Sequence, residues 1–297
     1  PATSASRTQR STKLSHASFQ LDNYSMEMWK MQEDFSGNGG IIEMKVKMIV
    51  TDLDFTVLHS DRSVSEYTGK VFAECRRQGI LTTVATARFY LGAKSFLDVL
   101  KPDYAITNDG TMVYEGEKFL FGFPLGKDRA NFLIRRILEG DPKARLSVST
   151  DQGVYRNYTR IDYVTAPYAH MYTSFEAPFR ERVYKVVVEP ERPELLNAYA
   201  EEAGCRLFRY RDENHYAFLM PEAGKFSALA VLGERIQVKL EETAAFGDDI
   251  NDLEMISRCG LGIAVANALP EVKERADAVA LSNDEDGVAR FIQKRIL

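Results

Sequence analysis

Thr51-Asp52-Leu53-Asp54-Phe55-Thr56 places two carboxylates two positions apart, directly after the apolar run Met48 to Thr51 (MIVT). Alternate residues of an extended segment face the same way, so Asp52 and Asp54 can address one substrate as nucleophile and proton donor. Asp pairs also cap helices and fill turns, so this spacing gains weight only from its company. Thr86-Ala87-Arg88 offers a hydroxyl and backbone N–H groups beside a helix start, a suitable grip for a phosphoryl oxygen, although an N-capping Thr reads the same way. Gly247-Asp248-Asp249-Ile250-Asn251-Asp252 puts three acids and an amide after a glycine turn. Hard oxygen ligands clustered in this way suit Mg²⁺, which takes a few carboxylates plus water and substrate oxygens. A solvated acidic helix start accounts for Asp249 but poorly for the whole run. Lys225, opening a helix, can neutralise both a phosphoryl group and an acidic nucleophile; taken alone it reads as a surface lysine.

These groups need a scaffold that carries strand ends to one edge. From Lys45 onward, short β-type runs alternate with helical patterns, which specifies a parallel sheet with helices on its faces. Strands are expected at 48–51, 81–85 and 104–107, with a helix from Ser65 to Gln78 closed by Gly79 and a second helix before the third strand. A hairpin is expected around Thr111 to Phe121, then a helix near 127–139, strands near 145–149 and 183–189, a helix near 193–203 and a strand near 205–211. The first pattern resumes after Pro221, with a helix from Lys225, a strand at 243–246, a helix from Asn251 and a strand around 261–265. The expected architecture is α/β, a doubly wound Rossmann-like core interrupted by an inserted α+β domain. Open α/β sheets bind ligands outside the C-terminal ends of their strands, where both carboxylates of the first strand fall.

The sequence resembles the haloacid dehalogenase-like hydrolases and, within them, the Cof-type phosphatases. The resemblance runs from about Met48 to the C-terminus and rests on DLDFT (52–56 with Asp52 leading), TAR (86–88), TNDGT (107–111), Lys225 in GKFSAL, GDDIND (247–252), GIAVANA (262–268) and ADAVALSNDEDGVA (276–289). It implies Asp52 as nucleophile, Asp54 as general acid and base, and Thr86, Ala87, Lys225 and Asn251 as phosphate grips. It also implies a metal held by Asp52, the Asp54 carbonyl and Asp248, with Asp249 or Asp252 supporting it directly or through water. The insertion would be a cap of the C2 type. The expected division is 44–111 with 217–297 for the core, 112–216 for the cap, and 1–43 as a disordered extension. Phe55 stands where relatives have Gly or another small or polar residue, Asp109 where an Asn-Gly pair is common, and Phe226 where Gly is frequent.

The chain has 297 residues, enough for two domains, and 45% of them are hydrophobic, as in an ordinary globular protein. With 38 Lys plus Arg against 43 Asp plus Glu it carries a formal charge of -5 and no global basic field for nucleic acid or anionic lipid. No apolar run approaches the roughly 20 residues that cross a bilayer. Cys75, Cys205 and Cys259 show no CxxC spacing, which argues against a disulfide or zinc framework and for a cytoplasmic setting. The first 21 residues hold Arg7, Arg10 and Lys13 but no acid, as a transit peptide would; with Met44 and Met48 as natural starts, residues 1–43 read as sequence upstream of the domain.

The expected activity is Mg²⁺-dependent hydrolysis of a small phosphate ester through an aspartyl-phosphate, by a monomer or homodimer with no nucleic-acid or membrane partner. A phosphomutase using the same intermediate and a non-catalytic sugar-phosphate sensor are the alternatives. Within the insertion, Arg206, Phe208 and Tyr210 should share one strand face, and Arg209 and Arg211 the other. Arg156, Tyr158 and Arg160 form a weaker candidate set for substrate contact. His59, His170 and His215 have no ligand spacing.

Overall fold

The computed structural model describes residues 45–159, 170–211 and 214–297. The expected extension lies outside them.

β1 (Met48–Thr51) is buried along its whole length, as a central strand covered on both faces must be. Ile49 joins one apolar cluster with Phe72, Val84 and Phe246, whereas Met48 and Val50 join another with Ile106, Leu229 and Leu232. The period-2 alternation of a strand thus divides its side chains between two helical layers. β2 (Leu81–Ala85), β3 (Tyr104–Thr107), β12 (Thr243–Gly247), β13 (Leu261–Ala264) and β14 (Ala278–Val279) complete a parallel array in the order β14-β13-β12-β1-β2-β3. Chain direction across the sheet reverses at β1, which lies between β2 and β12, and a ligand crevice forms at such a switch point.

α1 (Glu66–Arg77) starts where the Ser65 hydroxyl accepts the Thr68 N–H and ends before Gly79 at φ +76°, burying Val71, Phe72 and Cys75 on the sheet. α2 (Tyr90–Leu100), α5 (Lys225–Ile236), α6 (Leu253–Arg258), α7 (Pro270–Arg275) and α8 (Gly287–Arg295) cover the remaining faces. None of the described helices is long and apolar enough to cross a membrane.

The hairpin differs from its expected place. β4 (Met112–Glu115) and β5 (Lys118–Gly122) pair antiparallel onto β3 and carry the first sheet to eight strands, rather than opening the insertion. Val113 supplies the reason, because its side chain packs into the same cluster as Ile106 and Ala85.

A second sheet follows in the order β10-β11-β9-β6-β7-β8, from β6 (Arg145–Thr150), β7 (Val154–Arg156), β8 (His170–Tyr172), β9 (Val183–Glu189), β10 (Arg206–Arg209) and β11 (Tyr216–Leu219). It is antiparallel except between β7 and β8. α3 (Lys127–Gly140) and α4 (Leu196–Ala203) lie on one of its faces around Leu133, Ile137, Val148, Val186, Val188 and Phe218. β11, for which no strand is expected from the sequence, belongs to this sheet, so residues 217–219 fall outside the core to which the expected division gives them.

Candidate active site

Asp52 leaves the end of β1 in extended conformation, and its carboxylate is buried. β12 ends at Gly247, where an added Cβ would sit 2.4 Å from the Asp252 Cβ; glycine there lets Asp252 close under the strand end. α5 begins with Lys225, whose Nζ donates to Asp52 Oδ1 at 2.6 Å and to Asp252 Oδ1 at 2.7 Å. A surface lysine is thereby excluded: only 2% of its side chain is exposed. Gly110, at φ +83°, presses on the start of α5, since a Cβ there would meet the Gly224 carbonyl oxygen at 2.1 Å and the Lys225 nitrogen at 2.6 Å. The TNDGT loop therefore acts as a backstop for Lys225.

Asp52, Asp248 and Asp252 each bring a carboxylate oxygen within 4.8 Å of the others. Burial, then the charges of Asp252 and Asp248 against the offsetting Lys225, push Asp52 well above the usual carboxylate range. Asp248 is pushed up to about 7, by burial first and by Asp252 next. Burial opposes the Lys225 ammonium, but Asp252 and Asp52 outweigh it and hold the lysine above its ordinary value. Three acids facing one ammonium leave an excess of negative charge, which is the donor set a hard divalent cation fits. The hydrogen bonds divide the labour among them. Asp252 is spent within the protein, with Oδ1 on Lys225 and Oδ2 accepting the Asp248 N–H at 3.1 Å and the Asp249 N–H at 3.3 Å. Asp248 Oδ1 accepts the Thr56 hydroxyl at 2.8 Å, and its Oδ2 lies 3.9 Å from Arg211 Nη1.

Other expected residues stand apart from this cluster. Asp249 caps its own turn, its Oδ1 accepting the Ile250 N–H at 2.7 Å, so its carboxylate is not among the three gathered acids. The Asp54 carboxylate is gripped by the Arg88 fork, Oδ2 to Nε at 2.7 Å and Oδ1 to Nη2 at 2.5 Å. The chain leaves extended conformation after Asp54, because Phe55 turns left-handed at φ +59°, so the simple alternation argument for a shared face stops there. Phe55 is 58% exposed, and its carbonyl accepts the Asn267 amide at 2.7 Å. Thr86 is fully buried, with its hydroxyl accepting the Arg88 N–H at 3.1 Å, and the Ala87 carbonyl accepts from Lys185 Nζ at 3.1 Å. Asn251 lines a cleft of about 210 Å³ with Lys225, Phe226, Asp109, Arg206 and Phe208.

The last two come from β10 of the second sheet, as does Leu207 between them, which lines the same cleft. Arg206 and Phe208 front the cleft and the Tyr210 hydroxyl donates to Asp109 Oδ2 at 2.5 Å, whereas Arg209 lies over the Tyr216 ring at 5.7 Å. Arg211 falls beyond the end of β10 and escapes the alternation, which is how it approaches Asp248. Arg156 lies 5.5 Å from the Tyr158 ring centroid, and Arg160 is outside the described residues. His59 Nε2 donates to Asp286 Oδ1 at 3.0 Å, an oxygen that also accepts the Ser65 and Thr68 hydroxyls. Sequence spacing gave no sign of the Arg88 partner, of Thr56 at Asp248, or of Lys185 and Tyr210 at Asp109.

A model of the haloacid dehalogenase-like hydrolase family matches residues 49–292. The chain belongs to this family. Phosphatase YwpJ of Bacillus subtilis is 26% identical over 287 residues, covering 84% of this chain and 99% of that protein. The 5-amino-6-(5-phospho-D-ribitylamino)uracil phosphatase YwtE of the same organism is 26% identical over 283 residues, covering 84% of this chain and 98% of that protein. A solved haloacid dehalogenase-like hydrolase from Bacteroides thetaiotaomicron, 24% identical, superposes with a TM-score of 0.74 over 84% of this chain and 99% of its own. The likeness to Cof-type members, the doubly wound fold and the enzyme class expected from the sequence, a phosphoric monoester hydrolase, are borne out by these matches.

Proposed function

We propose that this hydrolase removes the phosphoryl group from small phosphorylated metabolites through an aspartyl-phosphate on Asp52, with Mg²⁺ as its metal. The observation that carries the reading is the buried Asp52 carboxylate at the switch point of the sheet, in hydrogen-bond contact with Lys225 and beside Asp248. Asp52 and Asp248 would hold the cation, while Asp252 keeps Lys225 in place. Bound Mg²⁺ supplies charge neutralisation, which phosphoryl transfer needs more than it needs covalent chemistry.

In the reaction an Asp52 oxygen forms the bond to phosphorus as the ester P–O bond breaks, and the leaving oxygen takes a proton from Asp54. Water then attacks the aspartyl-phosphate, giving its proton to Asp54, and inorganic phosphate departs. Asp54 must first come free of Arg88, since both of its oxygens are engaged by that guanidinium. Thr86, the Ala87 backbone, Lys225 and Asn251 would grip the phosphoryl oxygens. We assign the second sheet with α3 and α4 the part of a lid that excludes water and selects the organic group.

The test is phosphate release from 4-nitrophenyl phosphate and a panel of metabolite phosphates, with Mg²⁺ and with chelator. Asp52→Asn should abolish turnover and remain unphosphorylated in rapid-quench intact mass spectra. Asp54→Asn should accumulate one added phosphoryl group, because nitrophenolate departs without a proton whereas the second step slows by roughly 10²-fold or more. A phosphorylated Asp52→Asn protein, or full activity in chelator, would refute the reading.

A further inference from the structure

One buried ionic cluster beside the cleft is left unused by the steps above. Asp109 and Lys185 have side chains only 6% exposed each, and Lys185 Nζ donates to Asp109 Oδ2 at 2.7 Å. Asp109 belongs to the first sheet's TNDGT loop and Lys185 to β9 of the second sheet. The ammonium also reaches the Ala87 carbonyl at 3.1 Å and the Tyr210 oxygen at 3.2 Å. Both polar neighbours from the second sheet converge on the same carboxylate oxygen, Oδ2. Oδ1 of Asp109 is buried and has no hydrogen-bond partner, although the residue lines the cleft.

A buried acceptor left without a donor is costly, and the charge of this one is already balanced by Lys185. The group that completes it is therefore a neutral donor rather than a cation, and another phosphate or carboxylate would be repelled. Arg206 lines the same cleft, exposed and with no ion-pair or hydrogen-bond partner among the described residues; its guanidinium lies over Gly224, 3.6 Å from where a Cβ would be. Arg206 offers donors only, so the ligand must also accept. A hydroxyl is the small neutral group that donates to a carboxylate and accepts from a guanidinium. Phe208 adds an apolar side chain to the lining of the same cleft.

We propose that Asp109 and Arg206 are specificity-determining residues that read a hydroxyl on the organic part of the phosphate ester, with Lys185 and Tyr210 as positioning residues for Asp109. The inference rests on the phosphatase reading and deepens it by naming the residues that read the organic part of the ester. Because Asp109 is oriented by side chains of the second sheet, recognition of the hydroxyl is tied to the two sheets being in register.

The experiment compares kcat/KM on ribitol 5-phosphate, ribose 5-phosphate and glucose 6-phosphate with kcat/KM on 4-nitrophenyl phosphate, which has no hydroxyl. The readout is the ratio of each polyol value to the nitrophenyl value. In Asp109→Ala combined with Lys185→Met, which removes both buried charges together, the ratio for the best polyol should fall by about 10- to 100-fold. Arg206→Met, a change at an exposed position that does not threaten folding, should lower the same ratio by about 3- to 10-fold, through KM more than kcat. Parallel losses on all esters, or an unchanged ratio in Arg206→Met, would overturn the inference while leaving the phosphatase reading intact. Wild-type protein that releases phosphate from none of the esters would overturn both.

Discussion

Lys225→Met keeps the length of the side chain and deletes its charge, and the site geometry sets the cost. The wild-type ammonium bridges Asp52 at 2.6 Å and Asp252 at 2.7 Å, with 2% of the lysine side chain and 0% of the Asp252 side chain exposed. Without it, three acids within 4.8 Å of one another keep, among the described residues, only Arg211 as an ion-pair partner, 3.9 Å from Asp248 Oδ2. At an effective dielectric constant of about 20, each such pair repels by about 3–4 kcal/mol. The acids must then take up protons or the site must open. Removing one partner of a buried ion pair costs about 3–5 kcal/mol, and each kcal/mol lowers Tm by about 2–4 °C in a domain of this size, so a loss of about 6–20 °C is expected. The loss should depend on pH in a defined sense. Asp52 lies above its ordinary range and Asp248 at about 7, so both bind protons on folding; their contribution is most favourable at low pH and declines as pH rises through the folded values. Deleting Lys225 raises those values further, so the deficit against wild type should widen from pH 5 to pH 8. Thermal melts of both proteins in chelator at the two pH values measure it, and Mg²⁺ should recover part of the loss at pH 8. Phosphate release should fall by at least about 10²-fold. A variant that melts within about 2 °C of wild type at pH 8 in chelator would refute the assignment of Lys225 as the charge that holds the acids together.

Gly110→Ala should lower kcat by more than about tenfold and stability by about 1–3 kcal/mol, because its Cβ would strike the backbone that launches Lys225, whereas Gly116→Ala, also at positive φ but with no atom within 4 Å, should leave kcat intact. Steady-state kinetics and melts of the pair would contradict the backstop role if both variants behaved alike. Phe55→Gly relieves a left-handed phenylalanine whose ring is 58% exposed, so it should stabilise the protein by up to about 1 kcal/mol in denaturant melts; a loss of that size would show that the ring is packed. His170 is pulled down to about 4, by burial and then by Arg156, so the folded protein binds fewer protons there than the unfolded chain between about pH 4 and 6.5 and loses stability as pH falls through that window. His170→Gln should therefore show a smaller drop in Tm from pH 7 to pH 5 than wild type, and an equal or larger drop would count against it.

The elements of the core and the residues at their ends are legible from the apolar runs alone. Met48–Thr51, Leu81–Ala85 and Tyr104–Thr107 fall where the apolar runs end, because burial on both faces of a parallel sheet leaves a continuous hydrophobic signature, and the polar residues that follow are forced to one edge. The same logic placed Asp52, Thr86 and Asp248 together. Periodicity reports how buried a residue is, but not which buried charge neutralises which. Lys225 finds Asp52 across 173 residues and Asp54 finds Arg88 across 34, and these pairings exist only once the strands are stacked in order. Between Asp249 and Asp252 the choice was made by one short turn, which points the first at its own backbone and the second beneath Gly247 and onto Lys225. The hairpin at residues 112–122 reads equally well as either sheet's property, since an antiparallel edge strand alternates in the same way in both; packing of Val113 against the core decided it. The Asp109 cluster needed the second sheet as well, because its lysine and tyrosine come from strands that touch the TNDGT loop only in the folded protein.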